Sequence, residues 1–376
     1  MNEDRVESRI ETLTEEKRQR FEDRLSEREP ELREEIFERH QDDITNQLLD
    51  DKSELNNFNV IVSGFRNRSE TGYRYIRTEP FIHKNKRNVD ILIAHPEAGV
   101  AVLVEYERTL ASGTDEKLEK FKRRKEFVEG GGDDDLDTNE YLANVLSTNV
   151  DAIDYVISSQ HTPQDRLKAA GERKELSFCV WDLADHGVRC SIYYFPIKEH
   201  KTAPFKGHTE DELETYIIDT LANRVPKQDY LAFTFSSSKY LKLKHMAFVL
   251  VTRYHSKGNE TFTYEDWENL FAKQDVELNN YLDQEKQTLY QNFISYGKEC
   301  NVVVLEEDRG DLLKDGYRIK SSATSDGEKL EAELEEKMAK DRMGDDLKEE
   351  LLKLKWDLLE DVQSTGETTI SDFVDR

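Results

Sequence analysis

Three acids, Asp90, Glu105 and Glu107, are the residues whose types and spacing could do chemistry. They belong to two apolar segments, Val89 to Ala94 and Val100 to Glu107, with the composition of buried β-strands. Carboxylates in such segments lose hydration and repel one another unless their charge is compensated. A divalent cation is the simplest compensation, because Mg²⁺ and Mn²⁺ prefer oxygen ligands. The chemistry expected is hydrolysis assisted by a metal ion.

The turn between the two segments, Pro96-Glu97-Ala98-Gly99, determines which acids meet. We predict a hairpin in which His95 faces Val100. This register places Asp90 opposite Glu105, and directly opposed residues project from the same face with Cβ atoms about 5 Å apart. The third acid lies two residues beyond Glu105, so it projects from that face as well.

Acidic residues are spread from end to end of the 376-residue chain, which has a net charge of −26. This composition favours a halophilic, archaeal protein over an ordinary acidic one. The segment from Phe58 to Glu129 is the exception, with 14 Lys and Arg against 11 Asp and Glu, a net charge of +3. A basic region around a metal site favours a phosphodiester substrate such as DNA. Ion pairing along a helix from Lys117 to Lys125 is the alternative explanation.

The sequence excludes several common classes of site. The cysteines, Cys179, Cys190 and Cys300, have no Cys-x-x-Cys spacing, which excludes a zinc ribbon and a disulfide framework and suits a reducing cytoplasm. Walker A, Gly-x-Gly-x-x-Gly and His-Glu-x-x-His motifs do not occur. We find no apolar run typical of a signal peptide or a membrane span, so we expect a cytoplasmic protein without a membrane partner.

Asp90 followed by Glu105-Tyr106-Glu107 resembles the PD-(D/E)XK nuclease superfamily, which has the restriction-endonuclease fold. The resemblance covers roughly residues 31 to 195. It implies that Asp90, Glu105 and the backbone carbonyl of Tyr106 bind Mg²⁺ or Mn²⁺. Two departures stand out, because Glu107 occupies the position of the family's lysine and Thr78-Glu79-Pro80 replaces its Pro-Asp.

The resemblance also assigns roles to residues around the three acids. Glu107 would orient or deprotonate the attacking water, and Lys120 or Lys122 on the following helix would supply the missing cation. The family uses an acid on the helix before the hairpin, for which Glu35 and Glu38 are the candidates. The basic residues expected to bind DNA phosphates are Lys84, Lys86, Arg87, Arg123 and Arg124.

We predict an α/β (α+β) protein in which a restriction-endonuclease-like mixed sheet is flanked by helices. The expected units are a charged N-terminal helix (1–30), the nuclease-like domain (31–195), a connector (196–238), a winged-helix-like domain (239–322) and an acidic C-terminal helix or tail (323–376). Pro30 is expected to open a second helix, Glu31 to Leu49. Other expected helices are Glu116 to Val128 and Asn139 to Ile157. The expected strands outside the hairpin are Phe58 to Ser63, Tyr73 to Arg77, Ser177 to Trp181 and Arg189 to Phe195.

Residues 239–322 follow a winged-helix plan of three helices and a hairpin. The predicted helices are Tyr240 to Tyr254, Thr263 to Ala272 with a capping box, and Leu282 to Cys300. The third would be the DNA-reading helix, exposing Lys286, Gln287, Tyr290, Gln291, Asn292 and Lys298. The segment from Ser236 to Ser322 is not basic, with 12 Lys and Arg against 14 Asp and Glu. Protein docking is therefore the alternative use of this domain.

The leading functional hypothesis is a metal-dependent DNA endonuclease of restriction-like type. One alternative is a nuclease-derived DNA-binding or regulatory protein without catalysis, favoured by the Glu-x-Glu departure. Another is a halophilic scaffold for protein interactions. Leucines at 347, 351, 354 and 358 have coiled-coil spacing, which suits either a homodimer or a helix packed on the body of the same chain.

Overall fold

In a computed structural model of the full chain, the structure describes residues 3–66, 71–81, 89–126, 138–160, 163–174, 179–196, 210–259, 261–272, 276–321 and 326–364. The predicted cations Lys84, Lys86 and Arg87 lie outside these described residues.

A seven-stranded mixed sheet forms the body, with strands adjacent in chain order. They are β1 (Arg74–Thr78), β2 (Ile91–His95), β3 (Val100–Glu107), β4 (Ala152–Ser159), β5 (Cys179–Asp185), β6 (Arg189–Pro196) and β7 (Val225–Pro226). The β3–β4 and β4–β5 pairs are parallel, and the other four pairs are antiparallel. Parallel neighbours need crossovers, and helices supply them. The predicted α/β class is therefore confirmed.

The predicted hairpin register is confirmed. His95 pairs with Val100, and Ile91 pairs with Val104. Continued by one residue, this register places Asp90 opposite Glu105. The turn is a single 3₁₀ turn, Pro96–Ala98, ended by Gly99 at a φ of 63°. A Cβ at that glycine would lie 2.7 Å from the Asp151 carboxylate, so both backbone conformation and space require glycine.

Helices cover both faces of the sheet. On one face, α3 (Thr114–Glu126), α4 (Thr138–Leu146) and α5 (Gln164–Lys174) pack over β2 to β5. On the other face lie the end of α2 (Glu15–Phe65) and α6 (Glu210–Asp219). The central strands β3 and β4 are buried on both faces, which explains their near-continuous apolar sequences.

The long helix α2 corrects the prediction that a new helix begins at Pro30. It continues without interruption from Glu15 to Phe65 with Pro30 inside it. A proline there removes one helical hydrogen bond, at a cost of about 3 kcal/mol. Packing along α11 (Gly327–Ser364) holds the two halves of α2 in line, with Phe21 against Leu359 in one apolar cluster. The C-terminal helix thus packs back on its own chain, together with α1 (Glu3–Glu11).

Two further secondary-structure predictions are wrong. The run from Phe58 to Ser63 is not a strand but lies in the last turns of α2, buried from several sides. A short apolar run cannot distinguish a buried helix from a strand. The expected helix from Asn139 to Ile157 divides into α4, which ends at Leu146, and the central strand β4. The change occurs near Ser147, whose φ of 54° is incompatible with continuing a helix.

Residues 239–321 contain three longer helices followed by a two-stranded hairpin. They are α7 (Lys239–Val249), extended by a π-helical turn (Leu250–Tyr254), then α8 (Tyr264–Phe271) and α10 (Asp283–Glu299), with a short α9 (Val276–Asn279) before the last. The hairpin is β8 (Val303–Glu307) with β9 (Gly316–Ile319), and Phe262 forms an isolated bridge with Tyr317. The predicted capping box at Thr263 and Asp266 is present. Residues 196–238, expected as a connector, include α6 and the strand β7, which pairs with β6 at the edge of the main sheet.

A buried ion pair joins the sheet to α10. The Arg77 guanidinium on β1 donates to the Glu285 carboxylate at 3.0 Å, and both side chains are 1% exposed. Glu285 also accepts from the backbone N–H of Leu282 at 2.7 Å. The N-terminus of α10 is therefore held against the edge strand at Arg77, two residues before Glu79.

Candidate active site

The acids predicted from the hairpin do share one face of the sheet. Lys120 on α3 lies 3.8 Å from a carboxylate oxygen of Glu105 and 3.9 Å from one of Glu107. Lys117, one turn earlier on α3, lies 3.1 Å from Glu107. A single lysine can reach both glutamates only if they project toward the same helix. The site is thus the space between the carboxyl end of β3 and α3.

Glu105 is a buried acid of the site. Its side chain is 3% exposed and forms an ion pair with the Arg124 guanidinium from α3. The Tyr155 hydroxyl on β4 donates to it at 3.4 Å, and its backbone carbonyl accepts from the Ser158 hydroxyl at 3.3 Å. The partners of the buried carboxylate therefore come from a helix and a neighbouring strand.

Asp90 sits beside the peptide that follows Glu105. Its carboxylate accepts from the Tyr106 backbone N–H at 2.6 Å. Burial raises the pKa of Asp90 to about 7, and the negative charges of Glu54 and Glu79 act in the same direction. The Tyr106 N–H and the Arg124 charge oppose this rise. At neutral pH this carboxyl is therefore divided between its protonated and ionised forms.

Two acids that sequence reasoning did not assign to the site lie beside Asp90. Glu79 is buried, and its backbone N–H donates to the Asp90 carbonyl at 2.8 Å. The charge of Glu54 on α2 raises the pKa of Asp90. The pKa of Glu54 is itself raised, by burial and by the charge of Glu79. The expected helix acids Glu35 and Glu38 are 16 or more residues earlier, about 25 Å along α2. Glu79 could have been assigned to the site from the sequence, because it occupies the position of the family's Asp in Thr78-Glu79-Pro80. No sequence pattern pointed to Glu54.

Glu79 adopts a backbone conformation that non-glycine residues rarely take. Its φ is 45°, in the left-handed region. The strained residue is held by its carboxylate, which accepts from the Ser236 backbone N–H at 2.9 Å. Burial raises the pKa of Glu79, while Ser236 and the Lys242 charge limit the rise. An acid is thus fixed at the sheet edge by a segment about 160 residues away in sequence.

The side chain of Tyr106 packs against α2. The Asn57 amide donates to the Tyr106 hydroxyl at 2.8 Å, and Gln160 donates to Asn57. Phe58 meets the tyrosine ring edge-on with centroids 5.7 Å apart. These contacts fix the peptide between Glu105 and Glu107, and with it the N–H that orients Asp90.

The predicted cations of α3 are placed differently from one another. Lys120 reaches the carboxylates and is 48% exposed, whereas Lys122 lies 4.0 Å from Glu126 on its own helix. Arg123 is exposed, as a phosphate contact requires. Arg124, expected on DNA, instead faces inward to Glu105.

The predicted reading face of α10 is present only in part. Gln291, Asn292 and Lys298 are exposed, and Gln287 is half-buried. Lys286 is 14% exposed and lies 3.0 Å from Glu268, so its charge is already paired. Tyr290 was expected on the surface but is fully buried, with its ring against Trp267 and Tyr264.

Asp90, Glu105 and the Tyr106 carbonyl offer oxygen atoms, the ligand type that a divalent cation prefers. Across the described ranges, no three His, Cys, Asp or Glu side chains form a group that could hold a metal ion. The expected ligand set needs only two carboxylates and the Tyr106 carbonyl. Burial, and after it the charges of Glu54 and Glu79, raise the pKa of Asp90, and a bound cation would oppose that rise. Binding at Glu105 requires Arg124 to release that carboxylate.

Comparisons with protein-family models, curated proteins and solved structures found no match to this chain. Among the described helices, none combines the length and apolar composition that crossing a membrane requires.

Proposed function

We propose that this chain is a metal-dependent DNA endonuclease resembling the PD-(D/E)XK nucleases. One observation carries the proposal: Lys120 lies within 4 Å of both Glu105 and Glu107 on the face that also holds Asp90. The lysine missing from the Glu-x-Lys position is thereby replaced from α3. Its exposure leaves it accessible to a phosphate from solution.

In the proposed site, Asp90, Glu105 and the Tyr106 carbonyl would hold Mg²⁺ or Mn²⁺. A bound ion of this kind acts as a Lewis acid toward the phosphate. The Glu107 carboxylate would accept the proton of the attacking water, whose oxygen forms the new bond to phosphorus as a bridging P–O bond breaks and the departing oxygen takes up a proton from solvent. The Lys120 ammonium stabilises the negative charge on the non-bridging oxygens. Arg123 and the predicted cations Lys84, Lys86 and Arg87 would contact flanking phosphates.

We further propose that residues 239–321 form a winged-helix-like module that contacts the same DNA. The order of three longer helices and a hairpin supports this assignment, as does the bridge between Phe262 and Tyr317. The exposed face of α10 carries Gln284, Gln291 and Asn292, and side-chain amides can pair with adenine edges in the major groove.

The test compares two lysines on one helix. Lys120→Met should lower the rate of plasmid nicking by about 100-fold, since it removes a charge from the transition state. Lys122→Met should leave the rate near wild type, because Lys122 faces Glu126. Assays need Mg²⁺ and Mn²⁺ at both low and molar KCl. Equal rates for the two variants would refute the role of Lys120.

The acids require a separate control on the same hairpin. Asp90→Asn and Glu105→Gln should abolish nicking while DNA binding in a gel shift persists. Glu97→Gln makes the same charge change at the exposed turn and should cut normally. Cleavage unaffected by the first two substitutions would remove the catalytic proposal.

A second candidate, a nuclease-derived DNA-binding protein without catalysis, is favoured by the Arg124–Glu105 ion pair. An arginine that neutralises the buried glutamate can replace a cation permanently. Absence of nicking with either ion at any salt concentration, with DNA still bound, would select this candidate.

A further inference from the structure

A cavity of about 260 Å³ lies between α7 and α10, apart from the hairpin acids. Its lining includes Lys239, Lys242, Asn292, Phe293, Ser295 and Tyr296. Pockets for drug-sized ligands have volumes of roughly 300–1,000 Å³, so this one suits a single flat group with its substituents.

The cavity combines an aromatic wall with cations at its edge. Phe293 and Tyr296 are buried, whereas Lys239, Asn292 and Ser295 are exposed. The Lys239 ammonium lies 3.9 Å from the centre of the Tyr296 ring. Glu299 also lines the cavity, but among the described residues it forms no ion pair with Lys239, whose ammonium lies over the Tyr296 ring.

This combination matches the parts of one nucleotide. A phosphate would bind Lys239, a base would pack against the aromatic wall, and the amide and hydroxyl would meet polar edges. The match favours an unpaired nucleotide, because a base inside a duplex cannot enter a concave pocket.

A short series of contacts connects the cavity to the acids. The Lys242 ammonium donates to the Phe235 carbonyl at 2.7 Å. The next residue, Ser236, donates its N–H to Glu79, which in turn donates its own N–H to the Asp90 carbonyl. The cavity is therefore a neighbour of the proposed cleavage site on the side opposite α3.

We propose that the cavity between α7 and α10 binds one unpaired nucleotide of a DNA strand held at the hairpin acids. Its role in cleavage rests on the proposed endonuclease function, whereas nucleotide binding itself does not. The substrate class that follows is DNA with a single-stranded or displaced nucleotide next to the cut.

Binding can be measured without a metal ion, using the full chain in EDTA and a fluorescent oligothymidylate. Lys239→Glu should weaken binding by about tenfold or more, since it reverses a charge at the phosphate. Asn292→Ala should weaken it less. The matched control, Lys257→Glu, reverses the charge of an exposed lysine outside the cavity and should bind as wild type does.

Competitors distinguish the kind of ligand. Thymidine monophosphate should displace the oligonucleotide from wild type, and a blunt duplex of equal length should compete poorly. Competition by inorganic phosphate as effective as that by the nucleotide would overturn the proposal, since it would indicate anion binding alone.

The outcomes separate this proposal from the endonuclease proposal. If wild type cuts DNA but Lys239→Glu binds and cuts as Lys257→Glu does, the cavity proposal fails and the nuclease stands. If no variant cuts but oligonucleotide binding depends on Lys239, the cavity stands and the nuclease fails. If neither DNA form binds at any salt concentration, both fail.

Discussion

Glu105 and Glu285 both lie buried opposite an arginine, but their surroundings differ in access to solvent. Glu285 and Arg77 are each 1% exposed, so the pair is closed on both sides. Glu105 is 3% exposed, while its partners Arg124 and Lys120 are 29% and 48% exposed.

The difference separates a structural ion pair from an exchangeable one. A charge pair without water contact cannot change partners unless the surrounding structure opens, because either ion alone would be buried and unpaired. The cations at Glu105 can turn into solvent and retain their hydration. Glu105 can therefore exchange one cationic partner for another at modest cost, as the proposed metal site requires.

The largest expected effect is on the closed pair. Glu285→Gln should lower the free energy of unfolding by about 3–5 kcal/mol, because it leaves the Arg77 charge buried without its partner. Urea denaturation measures this. A double substitution, Arg77→Met with Glu285→Leu, should recover most of the loss, since apolar residues of similar volume replace buried pairs well.

Glu105→Gln is the matched substitution at the open pair. It should cost only about 1–2 kcal/mol, since Arg124 and Lys120 can be rehydrated. An equal loss for both glutamine variants would show that access to solvent does not distinguish the two sites.

An intermediate effect is expected from the proton on Asp90. Its pKa is about 7 in the folded protein and about 3.9 in an unfolded chain. Between these values the folded state holds a proton that the unfolded state has released, so stability falls as pH rises from about 4 to about 7. Asp90→Asn should therefore gain stability relative to wild type above pH 7, and the gain should disappear near pH 4.

Magnesium provides a second measurement on the same residue. If Mg²⁺ binds, it lowers the pKa of Asp90, and wild type should regain stability above pH 7 while Asp90→Asn responds less. Thermal unfolding with and without Mg²⁺, at constant ionic strength, measures this. An identical response in both proteins would contradict a metal site at Asp90.

The smallest effect is expected where both partners face solvent. Arg108 and Asp50 lie 3.2 Å apart with side chains 71% and 63% exposed. Asp50→Asn should change the free energy of unfolding by less than about 0.5 kcal/mol, since water and salt screen such pairs. A larger loss would mean that proximity, not burial, decides the strength of ion pairs here.

The hairpin could be predicted from the sequence because its information is local. The turn ending at Gly99 fixed the register, and the two-residue period of a strand then placed Asp90, Glu105 and Glu107 on one face. Local patterns also predicted the capping box at Thr263 and the start of α10 to within one residue.

The failures occurred where distant packing decides the outcome. Pro30 does not end a helix, because α11, from the other end of the chain, contacts α2 both before and after this proline. The run after Phe58 is strand-like in composition, but its surroundings on the sheet make it helical. The local spacing of residues in the sequence carries no information about either of these long-range contacts.

The sequence by itself determined which acids share a strand face and where the basic region lies. Only the tertiary structure decided which cations contact the acids and that Glu54 and Glu79 lie near Asp90. It also decided that the partner of buried Glu285 is closed to solvent, whereas the partners of buried Glu105 are partly exposed. The alternation of side chains along a strand is set by neighbouring residues in the sequence. The electrostatic potential and the solvent exposure of a side chain depend on every segment that packs around it.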